Sequence, residues 1–261
     1  MRVFGNGGEI ASVEDWRLKG GPKRDHQWAE GRSACELAKA WCRDGQVAIP
    51  AEIRALLDSC EATRGLVVEE ARAECRIPFD ENGGEPRNAD LAFVGVAPSG
   101  PVAVTIEAKA DEPFGQTIGE TMAAALERLT ENSRSRGVRR IEELVRAVLP
   151  PRAAGAAAVT ELRYQLLTAV AGSIAFAAGA GRGGGAPAQV AVMIVHEFET
   201  RETRAERLQR NDADFRAFLG RLGVAGREGT EAALYGPIAV PGESLWDAPA
   251  RLYVGKVRTR C

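Results

Sequence analysis

The 261-residue chain has little histidine and few cysteines, and the cysteines form no metal-binding pattern. It contains two histidines, His26 and His196, and five cysteines without a CxxC pair. Zinc sites need Cys and His at short spacings, and Ser-His-Asp or Cys-His catalysis needs a histidine beside its partners. The sequence therefore offers little for a zinc centre or for a histidine-dependent nucleophile.

The chain also lacks a positive net charge and a long apolar run. Its net charge is −2 and its pI about 5.9, so a polyanionic partner would need a local basic patch. The stretch "LLTAVAGSIAFAAGAG", from Leu166, has an apolar core of about 13 residues, short of the roughly 20 that a membrane helix needs. We expect a buried helix there and no membrane partner.

The N-terminal "MRVFGNGGEIASVEDW" lacks the basic-then-apolar pattern of a secretory signal. An odd number of cysteines suits a reducing compartment. The hydrophobic share of 45% and the charged share of 27% are typical of a globular protein. We therefore expect a cytoplasmic protein.

Helical and strand patterns alternate along the chain. "GRSACELAKAW" has helical spacing, "TIGE" pairs Thr117 with Glu120 as a capping box, and "QVAVMIVHEF" is typical of a strand covered on both faces. This order indicates an α/β fold with a central mixed sheet. We expect an N-terminal helical segment at 1–49, a core at 50–220, and a C-terminal extension at 221–261 in which "RLYVGKVR" could add a strand.

Charged residues lie inside a predicted hairpin, "RNADLAFVGVAPSGPVAVTIEAK", at residues 87–109. Charge is depleted in strands, and its burial is costly without a partner. If "PSGP" is a four-residue connection, Val102 lies opposite Ala97, and Lys109 lies opposite Asp90. A slip of one residue would move Asp90 to the other face of the sheet.

In that register three charges gather at one end of the sheet. Glu107 and Lys109 share a face, with Cα atoms roughly 7 Å apart, and Asp90 lies on the same face of the neighbouring strand. Two converging carboxylates suit Mg²⁺ or Mn²⁺, and a lysine beside such an ion can orient a water for phosphodiester hydrolysis. The alternative is an exposed Glu–Lys pair on a strand that Asp90 merely begins.

Asp90 followed by "IEAK" resembles the PD-(D/E)xK nuclease superfamily, whose site is an Asp and an (Asp/Glu)-x-Lys on adjacent strands. The resemblance implies a restriction-endonuclease-like α/β/α core at 50–220. It also implies a divalent metal, Mg²⁺ or Mn²⁺, held by Asp90, Glu107 and the backbone carbonyl of Ala108. Lys109 would then position or activate the attacking water.

A wider resemblance runs through "GRSACELAKAW", "IEAKADEPFG", "RYQLL" and "VMIVHEF". These segments are similar to landmarks of an uncharacterised bacterial family placed within that superfamily. The chain departs from its pattern in two places, with "RNAD" where "SQND" is expected and "IEAK" where "VEGK" is expected. Both acids and the lysine survive these changes.

Two further residues are candidates through the same resemblance. Glu74, in "AECRIPFD", matches an upstream accessory acid of many members. Glu70 competes for that role, and a half-exposed strand charge is the alternative. Gln165, in "RYQLL", resembles a glutamine that some exonuclease-like members place on a helix, although it could equally be a structural hydrogen-bonding residue.

Four arginines in "SRSRGVRR" form the candidate nucleic-acid surface: Arg134, Arg136, Arg139 and Arg140. Arginine clusters make phosphate contacts, although a solvated helix start would look the same. We expect a metal-dependent nuclease acting on DNA rather than RNA, with a homodimer suited to double-strand cleavage. The alternatives are a nuclease-fold protein that binds nucleic acid or a partner without cutting, and a purely structural protein.

Overall fold

The structure is a computed structural model that describes residues 1–22, 28–183, 186–224, 233–243, 245–247 and 249–261. Its helices are α1 Val13–Gly20, α2 Ser33–Trp41, α3 Ala51–Asp58, α4 Ile118–Glu131, α5 Gly137–Val148, α6 Tyr164–Ala177 and α7 Ala205–Arg221. Its strands are β1 Arg2–Gly5, β2 Gly8–Ile10, β3 Cys42–Arg43, β4 Gln46–Val47, β5 Val67–Ile77, β6 Arg87–Ala97, β7 Gly100–Lys109, β8 Val190–Glu199, β9 Leu234–Ile238 and β10 Arg251–Arg260.

Eight strands form one mixed sheet in the order β2-β1-β5-β6-β7-β8-β10-β9. Strands β5, β6 and β7 run as an antiparallel meander, while β7, β8 and β10 are parallel. The predicted final strand is β10, which lies between β8 and β9. The first 49 residues contribute β1 and β2 to the sheet as well as two helices that pack on it. The predicted α/β class with a central mixed sheet is confirmed.

Helices cover both faces of the sheet, with a separate apolar core on each side. Helices α1, α2 and α3 pack on one face, and α4, α5, α6 and α7 pack on the other. Strand β8 is buried along almost its whole length because it contacts both layers. Helix α6 is buried over most of its residues, which confirms the buried helix predicted from its apolar run.

The hairpin between β6 and β7 differs from the predicted register by two residues. Ala97 pairs with Gly100, so the connection is Pro98 and Ser99 alone, not the four residues "PSGP". Gly100 has φ +115°, a conformation that glycine adopts readily and that permits the tighter turn. The prediction of Val102 opposite Ala97 is wrong, but a shift of two residues keeps the paired side chains from Leu91 to Ala97 on their predicted faces.

Strands β5 and β6 both change face partway along their length. Leu91 packs in the core beneath α1–α3, whereas Ala89, two residues earlier, packs in the core beneath α4–α7. On β5, Ala73 pairs with Leu91 and packs in the same core as Leu91. Cys75 pairs with Ala89 and packs in the same core as Ala89. Residues two apart normally share a face, so the alternation is broken between these pairs. On β5 the break falls at Glu74, whose φ of +51° is rare for a residue with a side chain.

Candidate active site

The site begins where the ladder between β6 and β7 ends. Leu91 and Ile106 are the last paired residues of the two strands. One residue beyond, the Asp90 side chain replaces the backbone as hydrogen-bond acceptor, because its Oδ2 accepts a hydrogen bond from the Ala108 backbone N–H at 2.6 Å. The predicted pairing of Asp90 opposite Lys109 is therefore wrong by two residues. Asp90 nevertheless lies against the Glu107–Lys109 segment, as the sequence predicts.

Glu107 is the centre of this charged cluster, and its carboxylate has three partners. Lys109 Nζ lies 2.8 Å from Oε1, and Gln165 Nε2 donates to the same oxygen at 2.6 Å. The Arg87 guanidinium pairs with Oε2. The Glu107 side chain is only 3% exposed, so its charge depends on these contacts.

Burial displaces the titration of the neighbouring charges. Desolvation raises the pKa of Asp90, although Lys109, Arg87 and the Ala108 N–H all favour its ionised form, and Glu112 adds a further rise. Desolvation likewise lowers the pKa of Lys109 against the attraction of Asp90. Perturbed acids and bases held together are typical of catalytic sites, though buried ion pairs also produce them.

Arg87 is a member of the site that the sequence analysis overlooked. It begins β6 in the segment "RNAD", where the family pattern has an uncharged residue, and its side chain is 13% exposed. Burial lowers the pKa of its guanidinium, while Asp90 and Glu74 raise it. An arginine three residues before the candidate metal-binding acid was the available signal.

The remaining predicted acids divide between the site and the surface. Glu74 lies on β5, accepts a hydrogen bond from the Asn88 side chain, and is close enough to Arg87 to raise the pKa of its guanidinium. Glu70 instead pairs with Arg2 on β1 and is half exposed. Glu74 therefore lies at the margin of the site, whereas Glu70 lies elsewhere on the sheet.

Gln165 comes to the site from the first turn of α6, across the carboxyl end of β7. Deeper along the same helix, Ser173 hydrogen-bonds Thr105 on β7. These contacts fix the helix against the strand that carries Glu107 and Lys109. The amide of Gln165 is therefore aimed at Glu107 by the packing of the helix.

A second charged network adjoins the site on the next strands. Glu197 of β8 is fully buried and lies beside Lys109 in the ladder. It pairs with Lys256 at 2.9 Å and with Arg258 at 2.7 Å, both on β10. Asn211 of α7 hydrogen-bonds Glu197 at 3.2 Å. Charged residues thus continue across the carboxyl ends of the parallel strands, where α/β sheets commonly bind ligands.

The four predicted nucleic-acid-binding arginines lie around the start of α5, near the loop at 78–86 that precedes β6. Arg134, Arg136 and Arg139 are exposed. Arg140 is not a free surface charge, because its side chain is 14% exposed and pairs with Asp80 at 2.7 Å. It also lies over the Phe79 ring at 4.6 Å. Three of the four therefore stay exposed to solvent, although Arg139 is paired with Glu143, and Arg140 anchors the loop.

An open groove of about 580 Å³ adjoins these arginines. It is lined by Arg136 and Arg139 of the arginine cluster, by Asp80 and Glu81, and by alanines at and just beyond the end of α6. Glu143 lies in it and accepts from Arg139 at 2.7 Å and from Asn82 at 2.7 Å. The groove has mixed charge, so its phosphate-binding capacity rests on the exposed arginines at its rim.

The donor set at Asp90 fits a hard divalent ion. A strand residue directs its N–H and C=O toward the same neighbouring strand, so the Ala108 carbonyl faces the side on which Asp90 accepts its N–H. Two carboxylates and a carbonyl are oxygen donors of the kind that Mg²⁺ and Mn²⁺ prefer. Within the described parts of the chain, no group of three or more His, Cys, Asp or Glu side chains could hold a metal. An ion here would therefore keep several waters.

Histidine does not enter the site in the part of the chain that is described. His196 is fully buried on the other face of β8, where its Nε2 lies 2.8 Å from Thr259 Oγ1. His26 lies outside the described residues. Of the described helices, none combines the length and apolarity needed to cross a bilayer.

One family model matches residues 9–259; its description is Domain of unknown function (DUF6946). The match covers the sheet strands that carry the site as well as both helical layers. No curated protein and no solved structure matches the chain.

Proposed function

The chain belongs to the DUF6946 family, whose description assigns no activity, and we propose from the site itself that the protein is a divalent-metal-dependent nuclease. The proposal includes a restriction-endonuclease-like core. A meander of β5, β6 and β7 followed by the parallel strand β8, with helices on both faces, is compatible with that core.

One observation carries the proposal: Asp90, Glu107 and Lys109 are brought together at the point where the β6–β7 ladder opens. Glu107 and Lys109 are 3% and 7% exposed, so they are not an exposed ion pair on the strand surface. An apolar pair would fill the same space without the desolvation cost of two charges. A cluster of buried charge at a strand end is better explained by chemistry than by stability.

The residues divide into roles by their contacts. Asp90, Glu107 and the Ala108 carbonyl would hold Mg²⁺ or Mn²⁺, which when bound polarises a water for attack on phosphorus. Lys109, whose pKa burial lowers, orients that water or accepts its proton. Gln165 holds the Glu107 carboxylate in place through its 2.6 Å hydrogen bond. Glu74 would serve as an accessory acid at the margin.

The proposed substrate class rests on the exposed arginines around the start of α5. The exposed residues Arg134, Arg136 and Arg139 supply a basic patch on a chain whose overall charge is −2. Phosphate contacts of this kind bind nucleic acid without reading its sequence. We propose DNA as the substrate in preference to RNA, with a homodimer where both strands are cut.

A second candidate function is supported by Arg87. Its guanidinium and the Lys109 ammonium together balance the charges of Asp90 and Glu107 without a metal. A site neutralised by its own side chains suits a protein that keeps the nuclease scaffold and binds nucleic acid or a protein partner without cutting. Binding that persists in EDTA, with no product, would identify this alternative.

The experiment is a cleavage assay on plasmid DNA, linear DNA and RNA with Mg²⁺, Mn²⁺ or EDTA. We expect cutting that requires the metal and falls by about 10²–10⁴-fold in Lys109→Met, as for loss of a general acid–base residue. Asp90→Asn should lose cutting as well, and Lys19→Met, on α1 and remote from the site, should keep it. Absence of cutting under every condition, with no thermal shift in Mn²⁺, would overturn the proposal.

A further inference from the structure

Arg87 contacts a carboxylate oxygen of Glu107 that a bound metal would need. Its guanidinium contacts Glu107 Oε2, while Oε1 is already shared by Lys109 and Gln165. Both oxygens of Glu107 therefore have partners within the chain. An ion that binds this carboxylate must displace at least one of them.

Helix α6 accommodates the Arg87 side chain at a glycine. A Cβ at Gly172 would lie 2.9 Å from Arg87 Cγ and 3.2 Å from Arg87 Cβ, closer than ordinary contact allows. The void beside these residues, lined by Arg87, Glu107 and Gly172 among others, is about 10 Å³. Arg87 is thus held between β7 and α6 by packing as well as by charge, with little room to move inward.

Charge makes the guanidinium and a divalent ion competitors. Asp90 attracts Arg87 electrostatically, as it attracts Lys109. A divalent ion placed between Asp90 and Glu107 would stand beside two like charges in a site shielded from water, where repulsion is strong. Lys109 shares its Glu107 oxygen, Oε1, with Gln165, whereas Arg87 alone contacts Oε2. Departure of Arg87 would therefore free Oε2 completely.

We propose that Arg87 is the resident cation of the site and keeps a divalent ion out until a nucleic-acid phosphate draws the guanidinium away. Arginine binds phosphate through a planar fork of donors as readily as it binds carboxylate, so the exchange costs few hydrogen bonds. The inference rests on the proposed function and deepens it. It makes metal binding depend on the presence of substrate.

The test is a calorimetric titration of the full chain with Mn²⁺, without nucleic acid and with a phosphorothioate oligonucleotide that resists cleavage. Without nucleic acid, R87Q should bind Mn²⁺ about tenfold more tightly than wild type, or better. The oligonucleotide should raise the wild-type affinity by a similar factor and should change that of R87Q much less. R76Q is the matched control, since Arg76 lies on β5 and is 56% exposed.

A second variant protects the test against a misfolded R87Q. Gly172→Ala leaves every charge in place, but its added methyl group would displace the Arg87 side chain from its position against α6. It should therefore also raise the Mn²⁺ affinity without nucleic acid. Because alanine favours helix over glycine, α6 itself should not weaken. Thermal melts of all variants check that each is folded.

The outcomes separate this inference from the proposed function. Equal Mn²⁺ affinity in wild type, R87Q and G172A, with metal-dependent cutting intact, would overturn the role of Arg87 alone. Loss of the enhanced binding in R87Q/D90N would support it, because the ion would then be located at the site. Absence of Mn²⁺ binding in every folded variant would overturn both.

Discussion

Asp90 carries a carboxylate in a place where burial opposes its charge. Its pKa is raised chiefly by desolvation, while its hydrogen bond from the Ala108 N–H works in the opposite direction. A buried carboxylate is costly to stability, and residues that are unfavourable for stability are common at functional sites. The residue should therefore behave differently in stability and in activity.

Asp90→Asn should raise the melting temperature of the metal-free protein at pH 8. The folded pKa of Asp90 lies above the unfolded value of about 3.9, so its contribution to stability is complete below that value and is lost as pH rises through the folded pKa. An amide avoids the loss. The gain over wild type should therefore shrink toward zero at pH 4 and below, as followed by thermal melts.

The control for this measurement is Asp44→Asn in an exposed turn, which should show no such pH-dependent gain. With a cleavage-resistant oligonucleotide present, Mn²⁺ should raise the melting temperature of wild type further but not that of Asp90→Asn. A stability curve for Asp90→Asn that parallels wild type across the whole pH range would contradict the burial argument.

Elements of the structure are set mainly by local signals, as the start of α4 illustrates. Thr117 Oγ1 accepts from the Glu120 N–H at 3.1 Å, and the Glu120 carboxylate accepts from the Thr117 N–H at 2.7 Å. This is the capping box predicted from "TIGE". All of its parts lie within four residues, so the sequence alone could predict it.

Thr117→Ala should destabilise the protein by about 1 kcal/mol through loss of the cap. For a chain of this size the melting temperature should fall by about 2–4 °C. Thr130→Ala is the matched control, because Thr130 is an exposed threonine in the last turn of the same helix. An equal fall in both variants would show that the cap contributes nothing beyond helix propensity.

The first turns of α5 give the second prediction at this scale. Arg136→Gln together with Arg139→Gln removes two exposed charges beside the groove. If both contact phosphates, the slope of log Kd against log salt should decrease by about 2. The measurement is DNA binding by fluorescence anisotropy at several salt concentrations.

The charge-matched control is Arg43→Gln with Arg64→Gln, two exposed arginines that follow α2 and α3 on the other side of the sheet. Their loss should leave the slope close to that of wild type. Equal slopes for the two double variants would remove the arginines of α5 from the binding surface.

At the scale of the whole molecule, the ends of the chain are parts of one sheet. Strand β10 pairs with β8 over ten residues and with β9 on its other side. It buries Leu252, Val254 and Val257. The sheet therefore depends on residues at the far end of the sequence from those that form β1 and β2.

Truncation after residue 250 should prevent folding, because it leaves β8 with an open edge and β9 without a partner. Removal of Cys261 alone, an exposed residue beyond β10, should have little effect. Size-exclusion chromatography and circular dichroism distinguish the two. A truncated chain that is monomeric and melts cooperatively would show that the core is complete without β10.

The sequence by itself determined the fold class and most of the elements, because capping, alternation and apolar runs are properties of neighbouring residues. It did not predict β1 and β2 within the segment expected to be helical, nor β9. It also determined that Asp90, Glu107 and Lys109 would meet, since a two-residue error in register preserves the face. It did not determine which atoms meet. The tight turn at Pro98 and Ser99 depends on Gly100 and on the twist of the hairpin.

Only the tertiary structure decided what surrounds Glu107. Gln165 reaches it from 58 residues away along the chain, and Arg87 reaches it because β5 and β6 change face and α6 presents Gly172. Such contacts depend on how the layers pack. The segment "RYQLL" made Gln165 a candidate, but nothing in the sequence indicated that it would hydrogen-bond Glu107 or that Arg87 would pair with it. The sequence of the hairpin thus supplies the charged residues of the site. The packing of α6 supplies the Gln165 amide and the glycine against which Arg87 lies.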